Sequence, residues 1–264
     1  MVHELGGNDM RYIQSYYTDN GVKRKNNQDS LALIKAETEF GEVLLALVCD
    51  GMGGHQSGEV ASKVIIKKFA KWFKEIFPVL LYEAFSLDEL KFQWELLINE
   101  CNRLLVNYGR KKNIEMGSTV TVFLFVKEQY YVAHVGDSRG YQINNNIKQI
   151  TNDHSFLAEE VRKGNMTYEE TKRDKRKNIL VECVGITPTV KIEFYSGEVN
   201  KKDCFIICSD GFWHYLENDE LVRYLNGSQF SDNKKMRLHL NYLVNLVKQR
   251  GEKDDISVIG IVAV

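Results

Sequence analysis

The run LLALVCDGMGGHQSG, residues 44–58, passes from an uninterrupted apolar segment to an aspartate and then to glycines. Three other segments share the design: YYVAHVGD ends at Asp137, CFIICSD ends at Asp210, and DDISVIGIVAV opens with Asp254 and Asp255. A carboxylate where a buried strand meets a loop is costly to desolvate unless it binds something. In antiparallel sheets the end of one strand lies beside the start of its neighbour, so Asp50, Asp137 and Asp210 can share a rim with Asp254. Carboxylates with backbone carbonyls and water form the hard-oxygen set that suits Mg²⁺ or Mn²⁺. Neither CxxC nor HExxH, the spacings expected of a zinc site, occurs in the chain.

The chain has 264 residues, 44% of them hydrophobic, which is enough for one sizeable core. We expect a single domain over 1–264. The formal charge of −1 provides no global attraction to nucleic acid or to anionic lipid. Five cysteines, Cys49, Cys101, Cys183, Cys204 and Cys208, are odd in number, and three lie in apolar strand-like runs. Free thiols used as small hydrophobes imply a reducing compartment, and no apolar run approaches the ~18 residues of a membrane span. The expectation is a cytoplasmic protein without membrane insertion, and a monomer.

Working outward from the quoted run, RYIQSYYTD (11–19) reads as a strand, and DSLALIKAE (29–37) with EVLLALVCD (42–50) reads as a strand pair. Val60, Val64, Ile65, Phe69 and Phe73 recur at helical spacing between Ser57 and Phe77. A second helix is expected from Leu87 to Tyr108. STVTVFLFV and QYYVAHVGD, joined by a short KE turn, begin a strand-rich stretch that continues as a hairpin around Asn144–Asn146. Residues 155–178 are polar, charged and weakly helical, and read as an insertion over the surface. Strands at about 190–197 and 203–209, a helix at about 234–250 and a final strand complete an α+β arrangement of antiparallel sheets with helices outside.

Each acidic motif alone has a plainer reading. Asp50-Gly51-Met52-Gly53-Gly54 fits a metal loop, with Asp50 bridging two cations and the Gly51 carbonyl binding one, but also a glycine-rich strand-to-helix turn. No Gly-Lys-Ser/Thr follows, so it is not a nucleotide phosphate loop. Asp210-Gly211 and Gly136-Asp137-Ser138-Arg139 could each be ordinary turns, and His134, His154 and His214 satisfied or structural histidines. Ser118 and Thr119 read as packing and hydrogen-bonding residues of a strand. The coincidence of these motifs with NNQD at 26–29 and KDD at 253–255 is harder to assign to turn chemistry.

Over nearly its full length the chain resembles the metal-dependent protein phosphatase family, protein phosphatase 2C, in its bacterial form. The resemblance rests on RKNNQDS (24–30), VCDGMGGHQSGEVAS (48–62), MGSTV (116–120), HVGDSRGY (134–141), TNDHS (151–155), ICSDGFW (207–213) and KDDISVI (253–259). It implies a four-layer αββα sandwich, two antiparallel sheets packed face to face and flanked by helices, with a flap-like insertion at about 155–178. It further implies two Mn²⁺ or Mg²⁺ ions: Asp50 bridging both, Asp210 and Asp254 completing the first site, and the Gly51 carbonyl and Asp29 serving the second. Asp137 matches a ligand of a third, weaker metal, and Arg24 stands where the family grips substrate phosphate, a task suited to a planar guanidinium.

The activity so implied is hydrolysis of phosphoserine and phosphothreonine in proteins by a metal-bridging hydroxide, opposing a serine/threonine kinase. Cys49 is then no nucleophile, and the chain lacks a C-x5-R loop. One departure stands out: many eukaryotic relatives carry His after the Asp-Gly pair, whereas this chain has Met52, which cannot donate a proton to the leaving alkoxide. Nothing in the sequence gives His55 that part, so a water or another group must supply it. The alternative is a non-catalytic phosphoprotein-binding scaffold of the same fold, for which Asp29, Asp50, Asp210 and Asp254 would all be chemically unnecessary.

Overall fold

Alternation along the first three strands, β1 (Tyr12–Asp19), β2 (Ser30–Thr38) and β3 (Gly41–Cys49), already sorts side chains into layers. In β3, Val43, Leu45, Leu47 and Cys49 join one buried cluster while Leu44, Ala46 and Val48 join another. A strand buried on both faces must lie between two layers. The structure, a computed structural model, describes residues 10–22, 26–54, 57–83, 85–171, 174–176 and 179–264.

After β3 come β4 (Gly51–Gly53), α1 (Ser57–Glu75), α2 (Phe77–Glu83) and α3 (Leu87–Lys112). The helix expected from Ser57 to Phe77 is α1, which stops at Glu75; α2 is a further short helix, and Pro78 sits in its first turn, where its missing N–H is tolerated. The acceptor at the start of α3 is Ser86, which takes the Glu89 amide, and Asn113 closes the helix in the left-handed region at φ 52°. Next follow β5 (Met116–Ser118), β6 (Val120–Val126), β7 (Gln129–Val135), β8 (Arg139–Ile143) and β9 (Ile147–Gln149). The 155–178 segment holds two short helices, α4 (Phe156–Arg162) and α5 (Tyr168–Thr171). The chain ends with β10 (Glu193–Glu198), β11 (Cys204–Cys208), α6 (Asp210–Trp213), α7 (Asn218–Leu225), α8 (Asn233–Gln249) and β12 (Ile256–Ala263).

One sheet has the order β1-β12-β11-β8-β9 and the other β10-β7-β6-β3-β2, while β4 and β5 form a separate two-stranded ribbon. Three apolar clusters separate four layers. Phe69, Trp72, Trp94 and Ile98 pack helices onto the outer face of the second sheet. Phe123, Phe125, Phe205 and Ile259 fill the space between the sheets. Leu240 and Leu243 of α8 cover Ile206 and Val258 on the first sheet. This is the expected α+β sandwich.

Register brings the acid-bearing ends together. Both β3 and β7 pair antiparallel with β6, so they exit at the same end: Val48 opposes Thr121 and Val120 opposes Val135. In the other sheet Cys208 opposes both Val258 and Arg139, and Asp19 opposes Ile256. Among the described residues no helix is long and apolar enough to cross a membrane.

Candidate metal centre

Asp50 stands immediately after β3, and Thr119 fixes it. The Asp50 amide donates to Thr119 Oγ1 at 2.8 Å, and the Thr119 amide returns a bond to the Asp50 carbonyl at 2.9 Å. Thr119 Oγ1 also lies 2.9 Å from Ser138 Oγ, next to Asp137, so one hydroxyl couples the ends of β3 and β7. Thr119 is thus the hydrogen-bonding residue expected of this strand. The glycines here meet backbone to backbone: a β-carbon on Gly51 would fall 2.1 Å from the Gly58 carbonyl oxygen, and one on Gly58 would fall 2.5 Å from the Gly51 carbonyl oxygen. Any side chain at either position would force α1 away from the loop.

Asp29 lies just before β2. Its Oδ2 accepts from Ser209 Oγ at 2.8 Å, whereas Oδ1 is buried and accepts no hydrogen bond among the described residues. Ser209 is in turn held by the Ser257 amide at 3.0 Å and places Asp210 at the first position of α6. Gly211 must be glycine, because a β-carbon there would come within 2.2 Å of the Asp255 carbonyl oxygen. His214 Nδ1 stands 3.7 Å from Asp210 Oδ2 and 3.8 Å from Glu252 Oε2, and Glu252 Oε1 accepts the Asp254 amide at 2.8 Å. His214 therefore sits behind two of the candidate acids.

Asp137 is presented by Gly136, whose φ of +112° few other residues adopt. The Gly136 amide donates to His154 Nδ1 at 3.2 Å, and Trp213 Nε1 donates to the Asp137 carbonyl at 3.1 Å. Beneath them Arg139 forms a bidentate pair with Asp153 and lies 3.2 Å from the centre of the Trp213 ring. His154 is accordingly structural, and His134 is a satisfied strand histidine.

The family resemblance implies a metal role for Asp254 and none for Asp255. Asp255 is the better buried, at 1% exposure. Its Oδ2 accepts the Gln28 amide at 2.9 Å and Oδ1 lies 3.4 Å from the Gly21 amide, which ties residue 21 to residue 28. The Asp-Asp doublet was the only signal for this anchor, and it does not say which of the two turns inward. Arg24 and His55 lie outside the described residues.

Electrostatics show how near the acids are. Burial, then Asp29, Asp210, Asp254 and Asp137 in turn, hold the Asp50 carboxyl well above the usual carboxylate range. Burial pushes Asp29 up to about 7; bonds from Ser209 and Ser257 oppose this, while Asp255 and Asp210 add to it. Asp137 is raised by burial and then by Asp210 and Asp153, with Arg139 opposing. Mutual elevation of this kind marks a place built for positive charge. Among the described residues no three acidic, histidine or cysteine side chains close on a single point. The donors instead gather at one end of the sandwich without converging, an arrangement that fits hard cations that keep several waters. The orphan oxygen of Asp29 and the all-oxygen donor set fit such ions.

The protein phosphatase 2C family matches residues 20–255, a span that contains Asp29, Asp50, Asp137, Asp210 and Asp254. The chain belongs to the protein phosphatase 2C family. It is similar to the serine/threonine phosphatase stp of Listeria welshimeri, at 29% identity over 92% of this chain and 93% of that protein. Among solved structures it is similar to the serine/threonine phosphatase Stp1 from Staphylococcus aureus, with TM-score 0.83, 28% identity and 94% of each chain covered. A third similar structure is the catalytic domain of the serine/threonine protein phosphatase PstP in complex with two manganese ions, with TM-score 0.76, 26% identity, and 97% of this chain and 98% of that chain covered.

Proposed function

We propose that the chain hydrolyses phosphoserine and phosphothreonine in proteins and does so with two divalent cations, Mn²⁺ or Mg²⁺, among the carboxylates gathered at one end of the sandwich. The observation that carries this is the gathering of Asp29, Asp50, Asp137, Asp210 and Asp254 at one end of the sandwich, close enough that burial and mutual repulsion raise Asp29, Asp50 and Asp137. Asp50, Asp210 and Asp254 would hold one ion; Asp50, the Gly51 carbonyl and Asp29 would hold the other; Asp137 would serve a third. Bound cations would supply activation of water and neutralisation of phosphoryl charge.

The chain's own residues then position and shield. Thr119 keeps Asp50 in register with Asp137 through Ser138. Ser209 orients Asp29 and leaves its second oxygen available. Asp255 holds the amides of Gly21 and Gln28, and Arg24 would grip the substrate phosphate, a task suited to a planar guanidinium. All five cysteines are buried, and burial raises Cys49, which agrees with direct hydrolysis and not with a thiol phosphoenzyme. The substrates are phosphoproteins made by a serine/threonine kinase of the same compartment, which we take to be the cytoplasm, and the working unit is the monomer.

The test is hydrolysis of a phosphothreonine peptide and of p-nitrophenyl phosphate by purified protein with Mn²⁺, Mg²⁺ or EDTA, with Asp50→Ala as blank. Release that requires metal and disappears in the blank is expected. Folded protein that releases no phosphate under any metal would turn the reading toward a phosphoprotein-binding scaffold.

A further inference from the structure

Two buried side chains, His214 and Glu252, have no part in the proposed chemistry, yet each lies against one of its acids. His214 follows α6, and its amide donates to the Asp210 carbonyl at 3.0 Å, so it stands one turn beyond Asp210 on the same face. Its side chain is 9% exposed, and Nδ1 faces Asp210 Oδ2 at 3.7 Å and Glu252 Oε2 at 3.8 Å. A ring nitrogen that faces two carboxylates carries its hydrogen there, so the imidazole presents a positive edge to both. Glu252 is 6% exposed, and its own amide is anchored on the Val247 carbonyl of α8 at 3.1 Å. Its Oε1 accepts the successive amides of Lys253 and Asp254 at 2.6 and 2.8 Å. Its Oε2 faces His214 and accepts no hydrogen bond among the described residues.

Asp210 comes from α6 and Asp254 from the turn before β12, so their spacing is set only as well as those two segments are registered on each other. Burying a further carboxylate beside acids that already repel one another is unfavourable. Glu252 offsets that cost with two amides and the edge of an imidazole, and the result is a continuous path from Asp210 through His214 and Glu252 to the Asp254 amide. The Asp254 side chain is fixed in turn, its Oδ1 accepting the Asp255 amide at 2.7 Å. Arg250 joins the same two segments a second time by donating to the Tyr215 carbonyl at 2.6 Å. Cohesion of the segments therefore does not depend on His214 and Glu252, whereas the aim of the two carboxylates does.

We infer that His214 and Glu252 are positioning residues for the cation that Asp210 and Asp254 would share, and that they act as one unit to fix the spacing of those carboxylates. The inference rests on the proposed cation site and deepens it. Neither residue is an oxygen donor assigned to that site; both act through the donors, as the hydrogen-bonding partners behind metal ligands do.

The experiment titrates the full chain, stripped of metal with EDTA and then freed of the chelator, with Mn²⁺, and counts the free ion by electron paramagnetic resonance. Glu252→Ala removes the acceptor of the two amides, whereas Glu252→Gln keeps an acceptor oxygen. His214→Leu removes the ring N–H, whereas His214→Asn keeps an N–H near the place of Nδ1. The Ala and Leu variants should each bind at least one Mn²⁺ about ten- to a hundredfold more weakly than the wild type. The Gln and Asn variants should recover most of that loss, and Glu252→Ala with His214→Leu should be no weaker than the weaker single variant, because the two residues form one path. The Mn²⁺ concentration that half-activates p-nitrophenyl phosphate release should rise by the same factor, with circular dichroism in EDTA checking the fold. A lower melting temperature in EDTA with wild-type Mn²⁺ affinity would make the pair merely structural and overturn the inference. Equal weakening by Glu252→Gln and Glu252→Ala, or losses that add in the double variant, would overturn it too. Wild-type protein that binds no Mn²⁺ would sink the cation site and the inference with it; wild-type binding shared unchanged by all the variants would overturn the inference alone.

Discussion

Acidification should unfold this protein in part through one buried histidine, His134. Its ring is fully buried in β7, with Nε2 facing the carbonyl oxygens of Gly136 at 2.9 Å and Asn152 at 3.0 Å. A nitrogen aimed at two acceptors must carry the hydrogen, so Nδ1, 2.9 Å from Thr121 Oγ1, is the acceptor and the neutral ring is satisfied on both sides. Burial first, and then the neighbouring His154, lower His134 from 6.5 to about 4, although Asp153 and Glu193 pull the other way. The folded value lies below the unfolded one, so between these limits the unfolded chain takes up a proton that the folded chain refuses. The stability concerned is fully present above pH 6.5 and is lost as the pH falls toward 4. At ~1.4 kcal/mol per pH unit, the loss between pH 7 and pH 4.5 is about 2.5 kcal/mol.

The assay is urea unfolding in EDTA at both pH values for the wild type and for His134→Gln, whose amide can still donate to a carbonyl but does not titrate. Asp29, raised to about 7, contributes stability that is present below 3.8 and lost as the pH rises through 7, so the bare pH profile mixes opposite signs. The comparison with the variant cancels Asp29. The wild-type advantage over His134→Gln should shrink by about 2.5 kcal/mol between pH 7 and pH 4.5 at unchanged m-value. An advantage that stays the same at both pH values would refute the buried neutral imidazole.

Arg139→Met should cost about 3–5 kcal/mol in urea unfolding, because Asp153 would remain buried with its ion-pair partner removed. Arg139→Met with Asp153→Leu should recover more than half of that loss, and a double variant as weak as the single one would mean that the pair is not the source. Asp50→Asn should leave the melting temperature in EDTA unchanged or raised, since it removes one of several repelling carboxylates. With Mn²⁺ at about 100 times its Kd the wild type should gain about 2.7 kcal/mol and the variant much less, as read by thermal shift; equal gains would remove Asp50 from the cation site.

Much of this was legible in the sequence because apolar β-runs that end in aspartate combine a periodicity with a cost. Strands β3, β7, β11 and β12 lie where their patterns place them, and the motif order carries the family. Other features depend on partners far away in the chain. The ribbon of β4 with β5 pairs Gly51–Gly53 with Met116–Ser118, and glycines carry no strand signal. Helix α6 is four residues long, too short for a period, and α7 is capped by Glu217, a residue type that gives a weak start signal. The charge of 155–178 obscured α4, whose capping Ser155 is plain once the Ala158 amide is seen to donate to it. Asp255 was unreadable because its partners are the amides of Gly21 and Gln28.

That pair of adjacent aspartates shows how the fold sustains a site that opposes its own stability. Successive residues of an extended chain point to opposite sides, so one member of the doublet can turn inward while the other turns toward the neighbouring acids. Asp255, at 1% exposure, exchanges water for two backbone amides that would otherwise be buried donors themselves, so its desolvation is offset within the fold. Asp254 is only partly buried and is among the acids that raise Asp50. Asp255 thus stabilises the backbone at Gly21 and Gln28, and Asp254 adds to the repulsion that a divalent cation would relieve. Replacing both together would conflate two effects of opposite sign, and only the single substitutions separate the anchor from the site.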